Sequence, residues 1–551
     1  MNASDSQGTE VVGAPTVAKL LLDLMEDEGV SHVFGNPGTT EMPFVMEVAR
    51  RSSIEYVLAL HEGVAVSLAD GYAAATGRPG VLNLHAMPGL GNAIGQLSNA
   101  MVTRTPLVVT AGQQDSRHLL SDPWIGGDLV ALARPVCKSA HEARCASEVL
   151  PLMRRAFREA MTHPRGPVFV SIPMDFLAAT HVGEIPARSH VLSGSVAGGA
   201  PELAVRLAAI APGKLAIVAC DDVAHADAQS ELLALAHALQ CQVFGAPMHS
   251  RNLVPARHAL WGGTLPIAAE GIAKTLAAFD WIFVIGAQPF PALIRSEISP
   301  VPPATRLLQL CEVADGLARY HPVELGISGG IKATLAALRE GAGEPRAPGA
   351  EQEGRKTAEI ERLESAARDR YDAHPLHPMA AAHAVLRSLP PETIVVDEAI
   401  TTGAYVRGFH HPEQPGRYFF NRGGGLGWGM AAACGLSLGN GRAPVLCITG
   451  DGSALYGPQA LWTAARERLP VLFCVMNNRQ YLILKRQREL DARIPVHPLD
   501  IDQPAIDFVA MAASYGVAAT RVERVAEIQK CIEEVWDRAQ PHLIEIRISS
   551  R

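Results

Sequence analysis

Short apolar runs bounded by glycine and proline alternate along this chain with segments in which apolar residues recur at helical spacing. The strand-like runs of the first third lie at 31–38, 55–60, 80–89, 106–112 and 167–173. Segments 64–77 and 146–162 have the spacing of amphipathic helices. This alternation predicts βαβ units around a parallel sheet.

The same alternation recurs in two further regions. Strands are predicted at 214–220, 241–247, 280–287 and 305–311, and again at 392–398, 443–450, 469–478 and 542–548. Segments 189–202 and 339–359 are rich in glycine with proline, serine or charge, which favours linkers. We therefore expect an α/β protein of three doubly wound domains with parallel sheets. The predicted domains are 14–187, 196–340 and 376–551, with a linker at 341–375.

Composition narrows the function to small-molecule chemistry. The 551 residues are 48% hydrophobic and 19% charged, with a net charge of -8 and dispersed Lys and Arg. Nucleic acids and anionic membranes attract clustered positive charge, so neither is an expected partner. Nine widely spaced cysteines without a CxxC pair indicate reduced thiols in a cytoplasm. The first residues do not resemble a signal peptide, and no apolar run reaches the roughly 20 residues of a membrane-spanning helix.

Two polar motifs in the third region end apolar runs. Asp451 in Gly-Asp-Gly follows one predicted strand, and Asn478 in Asn-Asn follows the next. Ligands of parallel α/β sheets lie at the carboxyl ends of strands, so the two side chains are expected to share a ligand. A carboxylate, an amide oxygen and a backbone carbonyl, for which Gln480 is the candidate, suit Mg²⁺ and leave positions for a diphosphate.

The residues around Asp451 suit an anion. Gly450 and Gly452 allow the backbone to approach it closely, and the Ser453 N–H at the start of the following helix is a donor. Alone, Gly-Asp-Gly is more often a plain turn. Paired with Asn-Asn about 25 residues later, it is the fingerprint of enzymes that use thiamine diphosphate (ThDP).

Further motifs extend this likeness over all three regions. They are FGNPGTTE (34–41), LALHEGVAVSLADGYAAATG (58–77), NLHAMPGLGNA (83–93), VVTAGQQ (108–114) and GGGLGWGMAAACG (423–435). With these motifs the chain resembles the ThDP-dependent 2-oxo acid decarboxylases, and among them the benzoylformate decarboxylases. The resemblance implies a pyrimidine-binding (PYR) domain, a central domain without cofactor and a diphosphate-binding (PP) domain, with Asp451, Asn478 and the Gln480 carbonyl as the Mg²⁺ ligands.

The resemblance also implies how the cofactor is held. Glu62 matches the glutamate that hydrogen-bonds the pyrimidine ring. An acid at a helix start is common in any protein, but Glu62 lies inside the longest matching motif, which favours the functional role. Leu426 matches the apolar residue beneath the cofactor, and Gly424 matches the glycine whose carbonyl receives its amino group. Thr401 and Thr402 are expected near the diphosphate. Because the glutamate and the diphosphate site come from different subunits in this family, we expect a homodimer as the minimum unit and a homotetramer as the assembly.

Other positions are expected around the substrate. His85 matches a histidine that relays protons, although a lone histidine is more often structural, and Thr39 supplies the hydroxyl that a serine supplies in benzoylformate decarboxylases. Gln113 is an amide of the kind that lies over the cofactor in carboligating relatives. His61, beside the family glutamate, is a further polar group.

The match departs from the family at three positions. Leu293 stands where a second catalytic histidine is expected, and segment 284–298 contains no histidine. Ile400 and Ile483 stand where benzoylformate decarboxylases have small or polar residues near C2 of the cofactor. Their added volume leaves less space for an aryl ring and favours an aliphatic or differently shaped 2-oxo acid.

Three functions follow from these residues. The first is non-oxidative decarboxylation of a 2-oxo acid to an aldehyde through an enamine. The second is carboligation of the acetolactate synthase type, in which the enamine attacks a second carbonyl compound. The third is ThDP binding without turnover, against which the presence of Glu62, Asp451 and Asn478 argues.

Overall fold

A computed structural model of the protein describes residues 14–180, 183–191, 194–291, 295–342, 349–486 and 497–549. These residues form two compact units. The first comprises the described residues up to His190 except 70–77 and 102–104. Those two segments belong to the second unit, together with the described residues from Val191 onward.

The first unit is built on a parallel sheet. Its strands are β1 (His32–Gly35), β2 (Glu55–Leu58), β3 (Gly80–Leu84), β4 (Leu107–Gln113), β5 (Ser139–Glu142) and β6 (Pro167–Pro173), in the order β2-β1-β3-β4-β6-β5. The helices of this part of the chain are α1 (Val17–Asp27), α2 (Met42–Ala49), α3 (Glu62–Thr76), α4 (Ala86–Val102), α5 (Leu129–Ala133), α6 (Val149–Met161) and α7 (Met174–Ala178). Helix α6 buries Val149, Met153, Ala156 and Ala160, one apolar stripe of the expected spacing.

The second unit contains two further parallel sheets. The central sheet comprises β7 (Leu215–Ala219), β8 (Gln242–Gly245), β9 (Trp261–Thr264), β10 (Trp281–Ile285), β11 (Arg306–Cys311) and β12 (Leu325–Ser328), in the order β12-β11-β10-β7-β8-β9. Its helices are α8 (Ala200–Ala208), α9 (Asp221–His225), α10 (Gln229–Leu239), α11 (Ala269–Leu276) and α12 (Ile331–Gly341). Strands β7 and β10 lie in the middle of this sheet and are almost completely buried, as their continuous apolar runs predict.

The C-terminal sheet has the same form. It comprises β13 (Ile394–Glu398), β14 (Tyr418–Phe420), β15 (Val445–Gly450), β16 (Val471–Asn477), β17 (Ala518–Val522) and β18 (His542–Arg547), in the order β14-β13-β15-β16-β18-β17. Its helices are α14 (Pro378–Arg387), α15 (Gly403–Phe409), α16 (Trp428–Gly439), α17 (Asp451–Ala454), α18 (Ala460–Arg466), α19 (Leu482–Lys485), α20 (Phe508–Ser514) and α21 (Val525–Val535). The predicted fold class, three doubly wound domains with parallel sheets, is confirmed.

The segment predicted as a linker, 341–375, contains a helix. Residues Ala350–Arg368 form α13, in which Ala367 is buried and most other side chains are exposed or half-buried. Alanine, glutamate, arginine, lysine and glutamine dominate this stretch, and all are strong helix formers. Charge and scattered glycine indicate solvent exposure here but do not prevent a helix.

One buried ion pair and one hydrogen bond from a charged side chain cross between the two domains of the second unit. Arg422 places Nη1 3.5 Å from Oδ2 of Asp221, which follows β7, and the Ser250 N–H donates to Oδ1 of the same carboxylate at 2.7 Å. Arg407 donates to the His249 carbonyl at 3.0 Å. Charges that are buried in this way are stable only as pairs, so these contacts fix the relative position of the central and C-terminal domains.

Within the described part of the chain, none of the helices is both long enough and apolar enough to span a lipid bilayer.

Candidate active site

Loops that follow three neighbouring strands meet at the carboxyl edge of the C-terminal sheet. Strands β13, β15 and β16 lie side by side and end at Glu398, Gly450 and Asn477. The strand order reverses between β13 and β15, because the chain goes from β13 outward to β14 and returns to β15 on the other side. Open α/β sheets bind ligands at such a reversal point.

Asp451 begins α17 directly after β15. Its Oδ1 accepts the Gly452 N–H at 2.9 Å, and its Oδ2 accepts the Arg479 N–H at 2.6 Å. Burial raises the pKa of Asp451 to about 6, and its backbone hydrogen bonds oppose that rise. The carboxylate is therefore held by N–H groups from both loops, which brings the two motifs of the sequence prediction into contact.

The loop after β16 turns sharply at Arg479, whose φ of 60° lies in the left-handed region. The Asn478 side chain accepts the Gln480 N–H through Oδ1 at 3.0 Å. A non-glycine residue in this conformation costs of order 1 kcal/mol and is held by its surroundings, here by the carboxylate of Asp451 and the side chain of Asn477.

A cavity of about 380 Å³ opens beside these loops. Its wall includes the following residues predicted for the site: Ile400, Thr401, Thr402, Leu426, Gly450, Asp451, Gly452, Ser453, Asn478, Gln480 and Ile483. Gly424 does not line this cavity. It lies two residues before Leu426 and has a φ of +80°. The structure thus gathers the predicted C-terminal residues around one cavity, apart from Gly424, and their roles toward a cofactor stay predictions.

The cavity has the chemistry that a diphosphate bound through a divalent cation requires. Carboxylate, amide and carbonyl oxygens at Asp451, Asn478 and Gln480 are hard ligands. A cation beside Asp451 would offset the desolvation that raises the pKa of its carboxyl group. A Cβ added at Gly450 would meet only Ser453 Oγ, at 3.9 Å, so the backbone there faces open volume. At Gly452, by contrast, a Cβ would lie 2.6 Å from the Tyr481 ring, so this glycine allows the ring to pack closely.

Glu62 is the first residue of α3 in the N-terminal unit. It is 6% exposed, and its two carboxylate oxygens accept hydrogen bonds from Asn36 Nδ2 at 3.2 Å and from Asn92 Nδ2 at 3.0 Å. Amide donors on both oxygens fix the orientation of the carboxylate without neutralising its charge.

His85 directly follows β3 and is held by a buried acid. Its Nδ1 lies 3.0 Å from Oε2 of Glu41 and 3.1 Å from Oγ1 of Thr40. Glu41 is almost fully buried, and its carboxylate also accepts the Gly38 and Gly112 N–H groups at 2.9 Å each. An ionised carboxylate only accepts, so a hydrogen bond to Glu41 uses the proton on Nδ1 and leaves Nε2 for other partners.

Sequence reasoning missed Glu41 and Thr40. It assigned the hydroxyl of this motif to Thr39, which is exposed at the start of the 3₁₀ turn Thr39–Glu41, whereas the hydroxyl in contact with His85 belongs to Thr40. The signal available was the acid inside FGNPGTTE, two residues beyond the predicted threonine. A role for Thr39 toward substrate stays a prediction.

Gln113 and His61 are engaged in local contacts. Gln113 is buried; its Nε2 donates to the Gly127 carbonyl at 2.9 Å, and its Oε1 accepts the Gln114 N–H at 2.9 Å. His61 accepts the Gly63 N–H through Nδ1 at 3.0 Å, at the start of α3. These contacts orient both side chains, and their predicted functional roles are untested. Leu293, the residue expected in place of a second histidine, lies outside the described residues.

The fold has three parallel α/β domains. An oriented acid follows β2 in the first domain, and a cavity lined by oxygen ligands lies at the sheet edge of the third. This is the arrangement expected of enzymes that work with bound ThDP. Three thiamine pyrophosphate enzyme models match the chain: the N-terminal TPP binding domain at 15–129, the central domain at 208–338 and the C-terminal TPP binding domain at 401–546.

The chain is similar over almost its whole length to named relatives of this class. It is 34% identical to benzoylformate decarboxylase of Pseudomonas aeruginosa, covering 96% of this chain and 98% of the relative. It is 30% identical to a putative acetolactate synthase large subunit of Mycobacterium tuberculosis, covering 97% and 99%. The solved structure of a ThDP-dependent 4-hydroxybenzoylformate decarboxylase of Rhodococcus jostii matches with a TM-score of 0.87 at 29% identity, covering 97% and 99%. The chain belongs to the ThDP-dependent 2-oxo acid decarboxylase family of thiamine pyrophosphate enzymes.

Proposed function

We propose that this protein catalyses the non-oxidative decarboxylation of a 2-oxo acid with ThDP and Mg²⁺. In the net reaction the 2-oxo acid anion takes up one proton and yields an aldehyde and CO₂. The observation that carries the proposal is the cavity in which Asp451 contacts the loop of Asn478 and Gln480. The full-length similarity to a benzoylformate decarboxylase supports the reaction class.

The residues of the C-terminal site divide into metal and cofactor ligands. Mg²⁺ would be held by the side chains of Asp451 and Asn478 and by the Gln480 carbonyl, with the diphosphate in its remaining positions. The diphosphate and thiazolium would be held by the following residues: Gly450, Gly452, Ser453, Thr401, Thr402, Leu426 and Ile483. Gly424 would accept from the amino group of the pyrimidine.

The N-terminal residues would handle protons. ThDP, when bound, supplies the electron sink that makes loss of CO₂ from a 2-oxo acid feasible. Glu62, oriented by Asn36 and Asn92, would share a proton with the pyrimidine ring. His85, with Nδ1 fixed on Glu41, presents Nε2 for proton transfer at the substrate. Thr39 and Gln113 would contribute polar groups at the same site.

The proposed assembly is a homodimer at minimum and a homotetramer at full size. Glu62 of one protomer would serve the Asp451 site of another, as the family resemblance implies, so a monomer would have no complete site. The nine cysteines are all unpaired. Unpaired thiols are typical of a reducing compartment, and we place the protein in the cytoplasm on this ground.

Carboligation is the second candidate. Acetolactate synthases, such as an Escherichia coli isozyme 3 large subunit that is 26% identical over 550 residues, are among the relatives of the chain. The absence of histidine from 284–298 in the sequence also favours it, because slow protonation leaves time for attack on a second carbonyl compound.

Calorimetry and product analysis test the proposal. Apoprotein should take up ThDP in Mg²⁺ buffer and, with a panel of 2-oxo acids, release an aldehyde and CO₂ in equal amounts. A 2-hydroxy ketone or acetohydroxy acid as sole product, with an added aldehyde or 2-oxo acid, would establish the carboligase instead. Glu62→Gln should retain cofactor uptake and lose turnover by orders of magnitude. No uptake of ThDP by the wild-type chain would refute both functions.

A further inference from the structure

A second cavity of about 480 Å³ lies in the second unit, between the central and C-terminal domains. We call it the rear chamber. Its walls come from strand β9 and the residues after it, from α13, and from the segment that joins β13 to α15. Its volume is within the range of small-molecule sites.

The rear chamber adjoins the cofactor cavity. Ala399, Ile400 and Ile483 line both cavities, so these three residues form the partition between them. Ile400 and Ile483 are 44% and 43% exposed, and each contributes to the wall of both cavities. The two isoleucines therefore reduce the volume of the cofactor cavity, and the rear chamber provides additional volume next to them.

The walls of the rear chamber are mainly apolar. Trp261 and Leu265 of the central domain face Ile360 and Leu363 of α13 across it, with Phe420 at the C-terminal sheet. Such a wall accommodates an apolar group and offers few hydrogen-bond partners to a polar group.

The charged groups of the chamber wall are already paired. Arg407 donates to the His249 carbonyl at 3.0 Å and lies over the Phe420 ring at 4.6 Å. Lys356, which is only 11% exposed, places Nζ 3.3 Å from Oε2 of Glu359. Because these charges have partners, an apolar occupant would leave none of them newly unpaired.

We propose that the rear chamber receives the side chain of the substrate. The proposal rests on the proposed function and names its substrate class. The substrate is a 2-oxo acid with a long apolar side chain that is joined to the carbonyl through flexible methylene groups. A thin chain passes between the two isoleucines, whereas an aryl ring attached directly to the carbonyl is obstructed by them.

Chamber-filling substitutions test the proposal through a ratio of specificity constants. Ala404 lines the rear chamber and not the cofactor cavity. Ala404→Phe should lower kcat/KM for 2-oxodecanoate relative to pyruvate at least tenfold, because the added ring competes with the chain for volume. Ala358→Phe, an equal change at an exposed position of α13 outside the chamber, is the matched control and should leave the ratio within twofold. Ala256→Phe fills the chamber from the central domain and replaces Ala404→Phe if that variant does not fold.

Opening the partition should act in the opposite direction. Ile483→Ala should raise the ratio for 2-oxodecanoate over pyruvate and should admit benzoylformate better than wild type does. Equal ratios in wild type, Ala404→Phe, Ala256→Phe and Ile483→Ala would overturn the proposal.

Binding without turnover provides an independent readout. In Glu62→Gln loaded with ThDP and Mg²⁺, 2-oxodecanoate should change the tryptophan fluorescence, and Trp261→Phe in the same background should abolish that change. A signal that survives Trp261→Phe would place the chain outside the chamber. If the wild type binds ThDP and converts pyruvate while none of these variants differs, only the chamber proposal fails; if it neither binds ThDP nor converts any 2-oxo acid, the proposed function fails.

Discussion

Gly38 offers a steric test of the histidine in the N-terminal site. Its φ of -129° and ψ of -161° are ordinary extended values, so alanine fits the backbone without strain. A Cβ there would lie 2.1 Å from Nδ1 and 2.2 Å from Cγ of His85. Gly38→Ala therefore acts on the imidazole and leaves the backbone conformation unchanged.

The size of the effect follows from the distances. Non-bonded atoms need about 3.5 Å, so the ring must move by more than 1 Å. That displacement breaks the 3.0 Å hydrogen bond from Nδ1 to Glu41. A hydrogen bond to a charged group contributes about 2 kcal/mol, which sets the expected loss of unfolding free energy. A misplacement of this size lowers turnover about 100-fold if His85 transfers a proton to the substrate.

The assay compares kcat for the best 2-oxo acid, ThDP affinity and thermal stability. Gly95→Ala is the control, because it adds the same methyl group in α4 with no atom within 4 Å. Gly38→Ala should bind ThDP with nearly wild-type affinity but turn over slowly. Gly95→Ala should match wild type in kcat and ThDP affinity and should be at least as stable, because alanine is the better helix former. If a crystal structure of Gly38→Ala shows the ring displaced and kcat is within threefold of wild type, His85 has no part in the chemistry.

Three other changes test separate parts of the structure. Asp451→Asn should abolish Mg²⁺-dependent ThDP uptake in calorimetry, since the amide has lost the charge that a hard cation needs; retained uptake would exclude Asp451 as a ligand. Arg422→Met should lower the free energy of unfolding, measured in urea, by about 3 kcal/mol, because Asp221 is left buried without its cation. Adding Asp221→Asn to this variant should recover part of the loss. An unchanged free energy of unfolding in Arg422→Met would show the ion pair to be dispensable. Burial lowers the pKa of His410 from 6.5 to about 4, so the unfolded chain binds the proton first and stability is lost as pH falls from 6.5 to 4. His410→Gln should therefore reduce the dependence of the unfolding free energy on pH in this range by up to about 1.4 kcal/mol per pH unit. An unchanged pH dependence of unfolding would contradict the assignment.

Of the six strands at sheet edges in the described part of the chain, hydrophobic patterning predicted only β2. Strands β5, β9, β12, β14 and β17 were not predicted, and each lies at the edge of its sheet. Central strands are buried on both faces and show as continuous apolar runs. An edge strand pairs with one neighbour and tolerates polar residues, as in Ser139–Glu142, where all four residues are only half-buried. Hydrophobic patterning therefore predicts the interior of a parallel sheet better than its edges.

The candidate site divides along similar lines. Asp451 and Asn478 were predictable because each directly follows an apolar strand, and parallel strands carry such residues to one edge. Glu41 was not, because its role depends on its burial and on contacts with Gly112 and His85, which are distant from it in sequence. No local pattern in the sequence around Glu41 marks this acid as buried.

The sequence by itself determined two things. The order of the apolar runs determined the three-domain parallel fold, and the residues that end those runs determined the chemical type of the site. Tertiary structure alone decided which hydroxyl meets His85 and what lies behind Ile400 and Ile483. The reason is physical: periodicity and strand ends are properties of neighbouring residues, whereas cavities and buried hydrogen bonds arise where segments far apart in the chain are packed together. The rear chamber, whose walls come from β9, α13 and the segment between β13 and α15, is of this second kind.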